Sequence, residues 1–276
     1  MRDFVLTSEA FTKGHPDKLS DQIADAIVDA CLAGEPRHGV TAEAAIASGV
    51  VFLSIRSDAG LAFDAADTAR RMIGEAGYHA DAGAQTVMLD TAENATLRPP
   101  AGFEGVPARH MTTVFGYACA GVPAMMPYPV WAARGLARRL DAARESKTLP
   151  WLSPDAQVQV AVAFADRRPR AVTGLAVTVP TGEQPISKGE IEDALREHVI
   201  GPFFASAPIG PDEATRLVIN EISGAGGPAA HSGLTGRKTG ADSYGSFCRQ
   251  SSSAFSGKDP SRIDRVGVYA AHHAAR

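Results

Sequence analysis

A chain of 276 residues with 45% hydrophobic side chains is long enough to bury one large core or two smaller ones. Its formal net charge of -4 excludes the basic footprint of a general nucleic-acid binder. Cys31, Cys119 and Cys248 form an odd, widely spaced set, which argues against a disulfide framework and against a zinc site. The start lacks the apolar stretch of a signal peptide, and the most apolar run, Ala44 to Ile55, is too short to span a bilayer, so a cytoplasmic protein without membrane contact is expected.

In chain order, Pro16 to Leu32 reads as a helix with an apolar stripe at Leu19, Ile23, Ile27 and Cys31 and an acidic one at Asp17, Asp21, Asp25 and Asp29. Pro16 suits the first helical position, which places Asp17 where the helix dipole favours an anion. Val40–Ala47 and Val50–Ile55 are strand-like. Phe63 to Ala76 is helical and closes at Gly77. Gln85–Leu89 and Thr112–Cys119 are further strand candidates. Pro127 to Ser146 is an amphipathic helix. Val158–Phe164 and Ala171–Val179 form a strand pair about the turn Asp166-Arg167-Arg168-Pro169; Ile186 to Val199 is helical and Thr215–Asn220 a strand. Ser223 to Ser256 is a long loop rich in Gly and Ser, of the kind that usually carries function. Ser261 to Ala275 closes the chain as a helix with Asp259 as its cap. Strands and helices in blocks indicate α+β, with helices on one face of antiparallel or mixed sheets.

Two segments carry the chemistry. In the tail, Arg237, Lys238, Lys258 and Arg262, with Arg249 nearby, are interleaved with Gly233, Gly236 and Gly257. Cations set among glycines, where backbone N–H groups approach a ligand, suit a polyphosphate. Each charge-assisted hydrogen bond is worth roughly 1.5–3 kcal/mol. The run Ser252–Lys258 is not a P-loop, because Ser252 stands at the first Walker glycine and Asp259 at the Ser/Thr position. Near the start, His15 suits donation to an oxygen that gains charge and Asp17 suits a metal; a helix cap and a dipole partner are the plainer readings of the same two residues. Asp21, Asp25 and Asp29 read as a hydrated face.

The segments Thr7-Ser8-Glu9-Ala10, Gly14-His15-Pro16-Asp17-Lys18, Asp21–Ala26, Phe115-Gly116-Tyr117-Ala118, Leu149-Pro150-Trp151-Leu152, Gly233–Lys238 and Ala254–Pro260 occur in an order and spacing that resembles the methionine adenosyltransferases (S-adenosylmethionine synthetases) over nearly the whole chain. The resemblance implies an α+β fold of similar units with active sites at a homodimer interface. It implies attack of a methionine sulfur on C5′ of ATP, with triphosphate leaving and then being hydrolysed to phosphate and pyrophosphate. It makes His15, Lys258 and Arg237 the catalytic candidates. It assigns Asp155 to the nucleoside, and Arg237, Lys238, Lys258, Arg262 and Ala254, with His15, to ATP and its phosphates. Asp17 and Asp264 are implied for Mg²⁺ and Glu43 for K⁺.

Departures from the family pattern bear on the nucleophile. Arg56 stands at the methionine-binding glutamate, and His110 and His231 stand at two aspartates. Gln157 replaces a lysine, Arg262 another, and Ser251-Ser252-Ser253 a glycine run; the loop around Pro99–Gly105 is short. An ammonium 4 Å from an arginine at an effective dielectric of 20 is repelled by about 4 kcal/mol. The expectation is therefore a nucleophile pocket at Arg56, His110 and His231 that takes a group lacking an ammonium or carrying an anion. An ATP-binding triphosphatase or an inactive regulatory homologue is the alternative. Two interleaved units are expected, 1–120 with 221–276 and 121–220, with the family's usual last unit absent.

Overall fold

The computed structural model describes residues 3–79, 83–99, 111–182 and 185–276. Strand β1 (Phe4–Phe11) leads to helix α1 (Pro16–Gly34), the hairpin β2 (Val40–Ala47) and β3 (Val50–Ser57), helix α2 (Ala65–Ala76) and β4 (Thr86–Glu93). Then come α3 (Tyr128–Glu145), the hairpin β5 (Gln157–Ala165) and β6 (Arg168–Pro180), α4 (Lys188–Leu195) running on as a π turn, β7 (Arg216–Ile222), the short β8 (Gly233–Leu234) and α5 (Ile263–Ala275). Two four-stranded sheets result, β1-β5-β6-β7 and β4-β3-β2-β8. Each is mixed, with β6–β7 and β3–β4 parallel and the rest antiparallel. This is the expected α+β architecture.

Local chemistry sets the element ends. Pro16 opens α1, Asp64 caps α2 by accepting from the N–H groups of Ala66 and Asp67, and Gly77 ends it at φ 114°, a conformation that favours glycine. Asp166 and Arg167 turn the β5–β6 hairpin at φ 49° and 63°, the paired left-handed geometry that matches strand twist. Alternation then sorts the faces. Val40, Ala42, Ala44 and Ile46 of β2 and Val51, Leu53 and Ile55 of β3 meet Leu19, Ile23 and Ile27 of α1 in one core. Leu136 and Leu140 of α3 pack on Val158, Val160 and Val177 in the other. The opposite face of the β2–β3–β4 sheet leaves Val50, Phe52 and Met88 exposed.

Two expectations change, and one strand is added that the sequence reading did not assign. Phe4–Phe11 is a strand because β5 supplies its partner along the whole length. Thr112–Cys119 forms no ladder: its neighbours are a helix and a loop, with Gly116 pressed on the Ala271 carbonyl of α5 and the Thr113 carbonyl accepting from Ser252 N–H. Asp259 does not cap α5, whose N-cap is Arg262 without a side-chain bond. Instead Asp259 is buried and accepts from Val40 N–H at 2.9 Å, clamping the tail to β2.

Asp141 of α3 accepts from Lys13 N–H at 3.2 Å. Burial raises its pKa to about 6 against the opposing pull of that bond and of Lys13 and Arg144. A carboxyl raised in the fold costs stability when ionised, above its folded pKa, and that cost fades as pH falls toward the unfolded value. Asp141→Asn is expected to stabilise by about 1–2 kcal/mol at pH 7.5. The gain should vanish by pH 4 in thermal melts; a gain that persists there would contradict this account.

Candidate active site

The turn before α1 is held against the segment ahead of β5. Thr12 hydroxyl donates to Pro154 O and accepts from Ala156 N–H at 2.7 Å, and Tyr78 hydroxyl donates to Gly14 O at 2.8 Å. A Cβ on Gly14 would lie 2.2 Å from that of Pro154, so only glycine allows the approach that sets Asp155 beside His15. His15 is buried, and its Nδ1 accepts from Asp17 N–H at 3.2 Å. The ring proton therefore sits on Nε2. Burial lowers the His15 pKa to about 4, with Lys238 and His231 pushing the same way and Asp155 and Asp17 opposing. At neutral pH it is an uncharged donor.

Asp17, 2% exposed, is a hub. Its Oδ1 accepts from Leu234 N–H at 3.0 Å and lies 3.2 Å from Arg237 Nη1; its Oδ2 lies 3.5 Å from Lys238 Nζ. Lys238 also stands over the Phe11 ring, 4.2 Å from its centroid. A cavity of about 350 Å³ opens beside Arg237 and Lys238, lined by Ser8, Glu9, Gln159 and Gln250.

The acidic row of α1 is not a hydrated face. Asp21 accepts from Gly236 N–H at 2.8 Å, and Asp25 accepts from Gly257 N–H at 2.9 Å and from Arg265 at 3.0 Å. Only Asp29 of the row is exposed. Burial raises the Asp21 pKa to about 6, opposed by the Gly236 bond and Lys18. One-turn spacing of Asp17, Asp21 and Asp25 thus matches three backbone N–H groups of the tail. The four-residue acidic repeat, together with a tail rich in glycine N–H groups, was the signal for this docking.

Asp155, 5% exposed, accepts through Oδ2 from Gly227 N–H at 2.8 Å and lies 2.7 Å from His231 Nε2. Its Oδ1 is buried and has no hydrogen-bond partner among the described residues. The His15 and His231 rings meet edge-on at 5.1 Å. Metal-ligating atoms of His15, Asp155 and His231 lie within 4.8 Å of one another, but the proton on His15 Nε2 suits a donor to oxygen.

Most of the remaining described residues lie away from this group. Lys258, 9% exposed, lies 3.3 Å from the buried Asp264. Lys258 bridges Thr41, whereas Leu234 pairs with Ala45, four residues along β2 and roughly 13 Å away. Thr41 in turn pairs with Arg56. Arg56 is ion-paired to Asp90 at 2.6 Å, and Glu43 is exposed on the same outer face of the sheet. Arg262 carries a buried Nε without a partner among the described residues, and Ala254 packs against Gly236. His110 lies outside the described residues. Within one chain the tail is divided between two places. Gly233–Lys238 joins His15, Asp17, Asp155 and His231, while Lys258 and Asp264 form a second group, because β2 and α1 dock the two tail segments at opposite ends.

Comparison with known proteins gives a consistent result. Models described as the N-terminal, central and C-terminal domains of S-adenosylmethionine synthetase match residues 3–96, 105–224 and 225–276. The chain is similar to S-adenosylmethionine synthases from Gloeothece citriformis, at 34% identity over 100% of this chain and 72% of that one, and from Synechococcus elongatus, at 34% over 100% and 73%. The one from Gloeobacter violaceus is 37% identical over 100% of this chain and 73% of the relative.

Proposed function

We propose that this chain, which belongs to the S-adenosylmethionine synthetase family and is an ATP-dependent adenosyltransferase of that type, transfers the 5′-adenosyl group to a sulfur nucleophile without an ammonium. The observation that carries the reading is the meeting of an uncharged His15, Arg237 and Lys238 around Asp17. His15 donates through Nε2–H to the departing triphosphate oxygen. Arg237 and Lys238 turn from Asp17 to the phosphates that enter the cavity beside them. The orphaned Asp155 Oδ1 accepts a ribose hydroxyl, and the orphaned Arg262 Nε a phosphate oxygen.

Asp17 and Asp264 would hold Mg²⁺. Both are buried carboxylates whose neighbours are cations, so hard oxygen donors with a matching charge are in place. The ion supplies neutralisation of the polyphosphate. Glu43 would hold K⁺.

A homodimer completes the site. Lys258 and Asp264 of one copy meet His15 and Asp17 of another when the uncovered face of the β2–β3–β4 sheet is buried. Val50, Phe52 and Met88, at 41%, 42% and 54% exposure, favour such burial. Phe52→Glu is expected to shift the chain from dimer to monomer in sedimentation measurements. An unchanged dimer would remove this face from the interface.

Arg56 stands where the family holds an ammonium, and the carboxylate bonded to it among the described residues, Asp90, is committed to its charge. Lost acids at 56 and 231 favour a nucleophile that brings no positive charge. The test is mass spectrometry of reactions with ATP, Mg²⁺ and K⁺ and with methionine, its deaminated analogue, small anionic thioethers or small anionic thiols. Adenosylated product from at least one of the ammonium-free sulfur compounds is expected. Saturation by methionine at ordinary concentrations would exclude the altered nucleophile, and hydrolysis of ATP with no adenosylated product would exclude transfer.

A further inference from the structure

We infer that His231, oriented by Asp155, is a general base, and that the sulfur nucleophile is therefore a small thiol and not a thioether. This rests on the adenosyl-transfer reading above. Asp155 is buried, and its Oδ2 accepts from the N–H of Gly227, as a carboxylate oxygen does. At 2.7 Å His231 must then donate its Nε2 proton to Oδ2. Nδ1 has no hydrogen-bond partner among the described residues, and the side chain is 40% exposed. A carboxylate that fixes the tautomer of an imidazole and would stabilise its protonated form is the arrangement of a nucleophile-activating dyad.

Position supports the same role. If Asp155 Oδ1 takes a ribose hydroxyl, the other oxygen of that carboxylate holds His231 beside the same sugar, on which C5′ is the reacting carbon. A thioether has no proton to lose, so a base there would be idle. A free thiol has pKa ~8.5 and a free imidazole ~6.5, close enough for useful proton transfer, whereas an alcohol lies far above both. In the step, the S–H proton moves to His231 Nδ1 and the S–C5′ bond forms. The C5′–O bond breaks, and its electron pair leaves on triphosphate. The product is a neutral thioether of adenosine. Among the described residues Asp155 and the His15 ring face His231; Arg237 donates to the carbonyl of the next residue, Ser232, and Lys238 and Asp17 stand beyond His15. The two cations favour a thiolate.

The probes are 3-mercaptopropionate and its S-methyl ether, with ATP and Mg²⁺, followed by mass spectrometry across pH. The wild-type chain should adenosylate the thiol with an acidic limb in kcat/KM. His231→Gln should lower thiol turnover by about 10²–10⁴-fold at pH 7 and lose that limb. Added imidazole should restore part of the rate, which a misfolded variant would not show. A His231→Gln rate and pH profile equal to wild type would overturn the inference. Adenosylation of the S-methyl ether but not the thiol would also overturn it and leave adenosyl transfer standing; no adenosylated product from either probe would overturn it as well, and adenosyl transfer itself falls only if methionine and the other ammonium-free compounds also give none.

Discussion

Lys258→Ala is expected to lower adenosyl transfer by about 10²–10³-fold at saturating ATP, read as kcat. The ammonium is 9% exposed, 3.3 Å from Asp264, and its strand position is fixed by the bridge to Thr41 and by Gly257 N–H on Asp25. A cation so fixed needs no reorganisation when charge develops on triphosphate, which is the source of the effect. His15→Ala should fail for a different reason, loss of the Nε2–H donor. Because these two residues sit in separate groups of one chain, mixing the two inactive variants tests the shared site. A heterodimer carries one site with His15 from one copy and Lys258 from the other. Random exchange of subunits should therefore recover about a quarter of wild-type activity. A mixture that stays inactive after exchange would mean that each chain closes its own site.

Asp17→Asn should separate binding from folding at the first group. The amide keeps an oxygen for Leu234 N–H but loses the charge that faces Arg237 and Lys238. Removing one partner of a buried pair typically costs 3–5 kcal/mol. Here Arg237 is 48% exposed and can turn to water, so a loss of about 2 kcal/mol in urea unfolding is expected. The larger effect should be on Mg²⁺: the concentration that half-saturates turnover should rise by at least about tenfold, since one of two proposed carboxylate ligands becomes neutral. An unaltered Mg²⁺ dependence would remove Asp17 from the metal.

Much of the fold was legible along the chain because its signals are local. The apolar repeat of Leu19, Ile23 and Ile27, the alternation of Val40 to Ile46, Gly77 after α2 and the Asp166–Arg167 turn each act within a few residues. Strand β1 was not legible, since its partner is β5, more than a hundred residues later. The acidic row of α1 was misread for a related reason. An aspartate on a helix reads as solvated until a backbone N–H from the tail is known to reach it, as Gly236 and Gly257 do.

Residue types and their order determined the family, the α+β class and the candidate chemistry, because a polyphosphate site demands cations, glycines and carboxylates that no packing argument explains. Tertiary structure alone decided how those residues are shared out. The antiparallel seating of the tail on β2 and the length of α1 put Lys238 and Lys258 at opposite ends of the same surface, and the short contact between Asp155 and His231 turned a lost acid into a paired imidazole. Distances between segments remote in sequence follow from strand register and helix rise, and neither is written in any single motif.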